Sequence, residues 1–102
     1  MRRNIDEIYV LNVANTIPGV NARLATRQED CGSQKADIVV CYGGREFYIQ
    51  VSRQPKSNRS QKNLERRGTH PVYTHRFSGI PVGEEGVRRQ IESIIYEAQN
   101  HL

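Results

Sequence analysis

The chain has 102 residues, of which 36% are hydrophobic and 25% charged, with a net charge of +4. This is the profile of one ordinary globular domain, too small for two cores and too apolar for disorder. No apolar run approaches the roughly 18–20 residues that span a bilayer. Met1-Arg2-Arg3 is not followed by the apolar stretch of a secretory signal. The expectation is a cytoplasmic protein with a single domain over residues 1–102 and no membrane partner. The two cysteines, Cys31 and Cys41, then read as free thiols. Together with His70 and His75 they lack the spacing of a zinc finger.

Residues 4–14, NIDEIYVLNVA, place Ile5, Ile8, Tyr9 and Val13 at helical spacing. Asn4 is a candidate cap, and Asp6 and Glu7 fall in the first turn, where the helix dipole favours acids. Ile8 and Val10 also alternate as in a strand. Ile17-Pro18-Gly19 ends the segment. Residues 20–27 alternate Val20, Ala22, Leu24 and Thr26 with polar neighbours, the period of a half-buried strand.

A polar loop leads to a strand over residues 36–42. Gly43-Gly44 supplies the positive φ angles of a tight turn, and residues 46–52 return. The unbroken run Ile38-Val39-Val40-Cys41 predicts a strand covered on both faces, hence a central one. Then come a Pro/Ser/Asn loop, a short helix over about residues 60–67 closed by Gly68, and a β-rich run over residues 71–75. The final helix, residues 84–101, carries Val87, Ile91, Ile94, Ile95 and Ala98 on one side. That stripe suits either the core or a homodimer interface. The order helix, strand, strand, strand, helix, strand, helix predicts an α/β (α+β) fold, a small mixed sheet flanked by helices.

Two features point toward function. Asp37, Gln50 and Ser52 interrupt an otherwise apolar hairpin, and an unpaired polar group in a core costs roughly 1–3 kcal/mol. Side chains two apart on a strand share a face, so Gln50 and Ser52 project together, as do Lys35 and Asp37. The second feature is a basic run, Arg53, Lys56, Arg59, Lys62, Arg66, Arg67 and Arg76, opposed by Glu65 alone. Phosphate contacts by such residues are the main source of non-specific nucleic-acid affinity. Taken singly, each has a plainer reading: Asp37 as a turn cap, Gln50 and Ser52 on a wet edge, the basic run as a solvated surface.

An acid opening the second core strand, a tight hairpin, and Gln50-Val51-Ser52 closing the third resembles the PD-(D/E)XK nuclease superfamily, whose core order is αβββαβ. Gln in the second acidic position resembles the Mrr-type restriction endonucleases. The stretch SNRSQKNLERRGTHPVYT is similar to the basic helix and fourth strand that follow the motif in such nucleases. The likeness lies in the order of elements over residues 4–76 and in a handful of identities.

The resemblance implies a restriction-endonuclease-like fold acting on DNA or RNA, often as a homodimer. It implies Mg²⁺ or Mn²⁺ held by Asp37, the Gln50 side-chain carbonyl and the Val51 backbone carbonyl, with a metal-bound water cleaving the phosphodiester. Ser52 stands where the family has lysine, and losing one electrostatic stabiliser lowers rate by about 10² to 10³. Lys35, Lys56 or Lys62 are candidates for the missing ammonium, and Glu7, Glu29 or Asp30 for a further carboxylate. The alternative is a catalytically inactive nuclease-like module that binds nucleic acid or a partner protein.

Overall fold

The computed structural model describes residues 5–28, 35–55, 59, 62 and 68–100. Four strands form one mixed sheet in the order β1 (Asn21–Leu24), β2 (Ile38–Tyr42), β3 (Arg45–Ser52), β4 (Thr69–Tyr73). The first two pairings are antiparallel and β3 runs parallel to β4. Two long helices, α1 (Ile5–Ala14) and α2 (Gly83–Asn100), open and close the described chain. No helix among the described residues is long and apolar enough to cross a membrane.

The predicted hairpin is present. Gly43 and Gly44 adopt φ of 58° and 80°, the left-handed pair that a two-residue turn between twisted strands requires. Their turn fixes the register Ile38↔Ile49, Val40↔Phe47, Tyr42↔Arg45. Because opposed residues share a face, Ile38, Val40, Phe47 and Ile49 all enter the main core. There they meet Val10 and Val13 of α1 and Val87, Ile91 and Ile95 of α2. The other face is also covered: Val39 is fully buried in a second cluster with Ala25 and Ala36. The apolar run thus marks a central strand, as its lack of alternation predicts.

The stripe on α2 belongs to the core. Val87, Ile91 and Ile95 are buried, and Ile94 and Ala98 pack against them. In α1 the helix forms where expected and Val13 of the expected stripe is buried, but Val10 and Ala14 accompany it in place of Ile5, Ile8 and Tyr9. Val10, Val13 and Ala14 are buried, whereas Ile5 is 80% exposed and Ile8 and Tyr9 are 36% and 39% exposed. Apolar residues occur on more than one side of this helix, so spacing alone does not choose. Contacts at both ends accompany this face: Asp6 Oδ2 meets Arg53 Nε at 3.2 Å, and the Asn15 carboxamide hydrogen-bonds to β1.

That last tie recurs on the opposite side of the sheet. Asn15 Oδ1 accepts from Ala22 N–H (2.8 Å) and its Nδ2 donates to the Ala22 carbonyl (3.1 Å). Gln90 Oε1 accepts from Tyr73 N–H (2.9 Å) and its Nε2 donates to the Tyr73 carbonyl (2.8 Å). Each carboxamide reproduces the donor and acceptor of a neighbouring strand, so both outer strands have an edge residue closed by a side chain. On β4 the edge is further blunted by Pro71, which has no N–H to offer.

The strands differ from expectation at their margins. β1 is confined to Asn21–Leu24, and β4 begins at Thr69 and ends at Tyr73, two residues earlier than the apolar run suggests. The parallel register Val51↔Val72 sets that shift, since it puts Val72 in the main core beneath α2. The helix predicted over residues 60–67 lies outside the described residues except at Lys62, which is helical, as is the preceding Arg59.

Gln90→Ala and Asn15→Ala each strip a backbone N–H and C=O of their partners, which costs about 1–3 kcal/mol per group left unsatisfied and less where water reaches it. Each substitution is expected to lower unfolding free energy in urea by about 1–2 kcal/mol. The double variant should be additive within about 0.5 kcal/mol, because the two sites are on opposite edges.

Candidate functional site at the open end of the hairpin

Asp37 sits immediately before β2, where regular pairing stops. Its N–H donates to the Ile49 carbonyl (2.8 Å), while its own carbonyl accepts from Ala25 N–H (2.9 Å). In an undistorted strand the N–H and C=O of one residue point to the same neighbour, so the chain is turned at this position. The turn swings the side chain onto β3: Asp37 Oδ2 accepts from Val51 N–H at 2.8 Å. A carboxylate thereby fills the place that the main chain would take if β2 continued.

Continuing the register Ile38↔Ile49 by one residue sets Asp37 opposite Gln50. Gln50 and Ser52 follow Tyr48 on the face of β3 away from the main core, and both are half-buried. The parallel register adds Gln50↔Pro71 and Ser52↔Tyr73, so Tyr73 shares that face. The Tyr73 hydroxyl is buried and has no hydrogen-bond partner among the described residues. The Asp37 carboxylate, the Val51 peptide and the Gln50 and Ser52 side chains are thus gathered at one end of the sheet.

Not every predicted participant joins them. Lys35 is exposed and outside β2, with φ of 50°. Strand alternation does not extend to it, and its expected place on the Asp37 face is corrected accordingly. Glu29, Asp30, Lys56, Arg66 and Arg67 lie outside the described residues. Arg59 and Lys62 are exposed, and Arg53 is 71% exposed with its Nε on Asp6. Among the described residues no group of three or more His, Cys, Asp or Glu side chains could hold a metal ion. A metal at Asp37 would therefore draw on neutral oxygens, from the Gln50 amide and the Val51 carbonyl, for the rest of its protein ligands.

Two concavities bear on the choice of site. The larger, about 720 Å³, lies beside the Gly43-Gly44 turn between Ile17, Tyr42, Arg89 and Tyr96, and contains none of the predicted residues. The second, about 560 Å³, is lined by Arg53, Gln54, His75 and Gly79, directly after Ser52. Spacing gave no signal for this pocket, because residue 75 reaches it only through the pairing of β3 with β4.

Comparison with protein-family models, with curated proteins and with solved structures gives no match. The chemistry available at the hairpin end is accordingly read from its own residues.

Asp37 has a structural duty separable from its charge. Asp37→Ala removes the acceptor for Val51 N–H and should destabilise the fold by about 1.5–3 kcal/mol, the range for a hydrogen bond to a charged group. Asp37→Asn keeps an oxygen acceptor and should lose less than half as much in the same urea titration. Tyr73→Phe removes an unsatisfied buried hydroxyl and is expected to raise stability by about 1 kcal/mol.

Proposed function

We propose that the chain is a nucleic-acid-acting protein, a divalent-metal-dependent phosphodiester hydrolase of PD-(D/E)XK type with a weakened Asp37…Gln50-Val51-Ser52 centre. The observation that supports this most is the meeting of the Asp37 carboxylate with the Val51 peptide at 2.8 Å, at the sheet end where Gln50 and Ser52 also project. The chain order of the described elements, α1, β1, β2, β3 and β4, is compatible with the αβββαβ order of the resemblance.

The residues fit Mg²⁺ or Mn²⁺ modestly. Asp37 offers one hard, charged oxygen, and Gln50 and Val51 offer carbonyls of the right hardness. A bound ion supplies Lewis acidity toward the phosphate and a more acidic water. Asp37 is oriented by its bond to Val51 N–H. Ser52 provides a hydroxyl and no charge, so it cannot offset negative charge on the phosphate as an ammonium does. Slow turnover is the consequence. Arg53, Arg59 and Lys62, all exposed, would hold the phosphate backbone.

A second reading, a nuclease-like module that binds nucleic acid without cleaving it, is favoured by the same Asp37–Val51 bond, since one carboxylate oxygen is committed to the fold. Plasmid nicking in Mn²⁺ separates the two. Under the hydrolase reading the protein nicks slowly, Asp37→Asn abolishes nicking while remaining folded, and Ser52→Lys accelerates it by about 10² to 10³. Nucleic-acid binding with no nicking by either the wild type or Ser52→Lys would leave only the binding module.

A further inference from the structure

We infer that the pocket formed by Arg53, Gln54 and His75 is an oxyanion subsite that takes a phosphate group, separate from the Asp37 centre; its assignment to a nucleic-acid phosphate rests on the function proposed above. The pocket encloses about 560 Å³ and is lined by these residues and Gly79. β3 and β4 are parallel, so their carboxyl ends coincide, and the pocket opens where those ends deliver Arg53, Gln54 and His75. Ligands of open α/β sheets bind at such carboxyl ends.

Each polar lining group has donor capacity beyond the contacts it makes among the described residues. Arg53 spends Nε on Asp6 Oδ2 (3.2 Å) and is otherwise in solvent, which orients the planar fork and leaves both Nη groups to donate. His75 Nδ1 lies 2.8 Å from the hydroxyl of Thr74, and Thr74 is only 4% exposed. That contact fixes the ring and leaves Nε2 as its outward nitrogen. The tautomer in which the Thr74 hydroxyl donates to Nδ1 puts the ring proton on Nε2, facing an acceptor. Gln54 adds an exposed carboxamide.

The groups are held together before any ligand arrives. His75 N–H donates to the Arg53 carbonyl at 2.6 Å, and Thr74 N–H to the Ser52 carbonyl at 3.0 Å. An isolated bridge between His75 and Pro81 closes the far side. Among the described residues the lining holds no acid; Asp6 pairs with Arg53 Nε and steers its guanidinium. A guanidinium fork, an imidazole N–H and a carboxamide on a fixed backbone suit a tetrahedral oxyanion with several acceptors.

Two sources of the phosphate are distinguished by two probes on the same protein. In the first, inorganic phosphate is titrated into the isotope-labelled wild type against a chloride control, and the His75 Cε1–H resonance is followed. In the second, a labelled DNA duplex is titrated at several salt concentrations by fluorescence anisotropy. The variants are His75→Ala and the charge-balanced pair Asp6→Asn/Arg53→Gln, which removes the guanidinium without stranding a carboxylate.

The expected result is a saturable phosphate shift of His75 that the paired variant loses. Duplex affinity should fall about tenfold in the paired variant, with the slope of log affinity on log salt reduced by about one. A His75 resonance that phosphate moves no more than chloride overturns the inference, and this readout needs no variant to fold. Duplex binding that persists unchanged in that case leaves the nucleic-acid reading standing. A phosphate shift at His75 without duplex binding upholds the oxyanion subsite and removes its nucleic-acid assignment.

Discussion

The register of the β2–β3 hairpin is the constraint on which the rest depends. With Ile38 opposite Ile49, every apolar residue of the two strands that must meet the helices does so, and a slip of one residue would send all of them to the other side. The Gly43-Gly44 turn sets this register from one end of the hairpin. Asp37 secures it from the other, because its bond to Val51 N–H exists only in this alignment. A polar residue at the margin of an apolar hairpin therefore has a duty in folding before it has one in chemistry.

That double duty shapes what the site can be. The carboxylate is held firmly, which favours a preorganised oxygen ligand, but one of its oxygens already serves the backbone. Ser52 itself brings no positive charge, while Arg53, the next residue, turns toward α1 and Asp6. The sheet end thus holds two groups: Asp37 and Gln50 where β2 meets β3, and Arg53 and His75 just beyond the ends of β3 and β4.

Much of the architecture was legible because it rests on local rules. The Gly-Gly turn, the uninterrupted run of β2 and the stripe of α2 each specify their element and its burial without reference to distant residues. The inward face of α1 was not legible, since Ile5, Ile8 and Tyr9 rival Val10, Val13 and Ala14 in apolarity. The decision falls to tertiary packing, which seats Val10, Val13 and Ala14 against the sheet and α2. Lys35 misleads for a related reason: periodicity assumes an extended backbone, and a left-handed residue ends that assumption without any mark in the sequence. Of the site, Asp37 and Gln50-Val51-Ser52 stand out as polar interruptions, whereas His75 joins Arg53 only through a parallel pairing that spans an intervening segment.

The carboxamides of Asn15 and Gln90 carry a meaning for assembly. A sheet with bare outer strands invites another polypeptide to lie alongside and extend it, the route by which many domains capture peptides or fuse into fibrils. Here a newcomer would have to evict an amide that already satisfies the main chain at Ala22 or Tyr73, and would find no N–H at Pro71. Lateral strand growth is therefore opposed at Ala22, Pro71 and Tyr73, where the edge is already satisfied or has no donor.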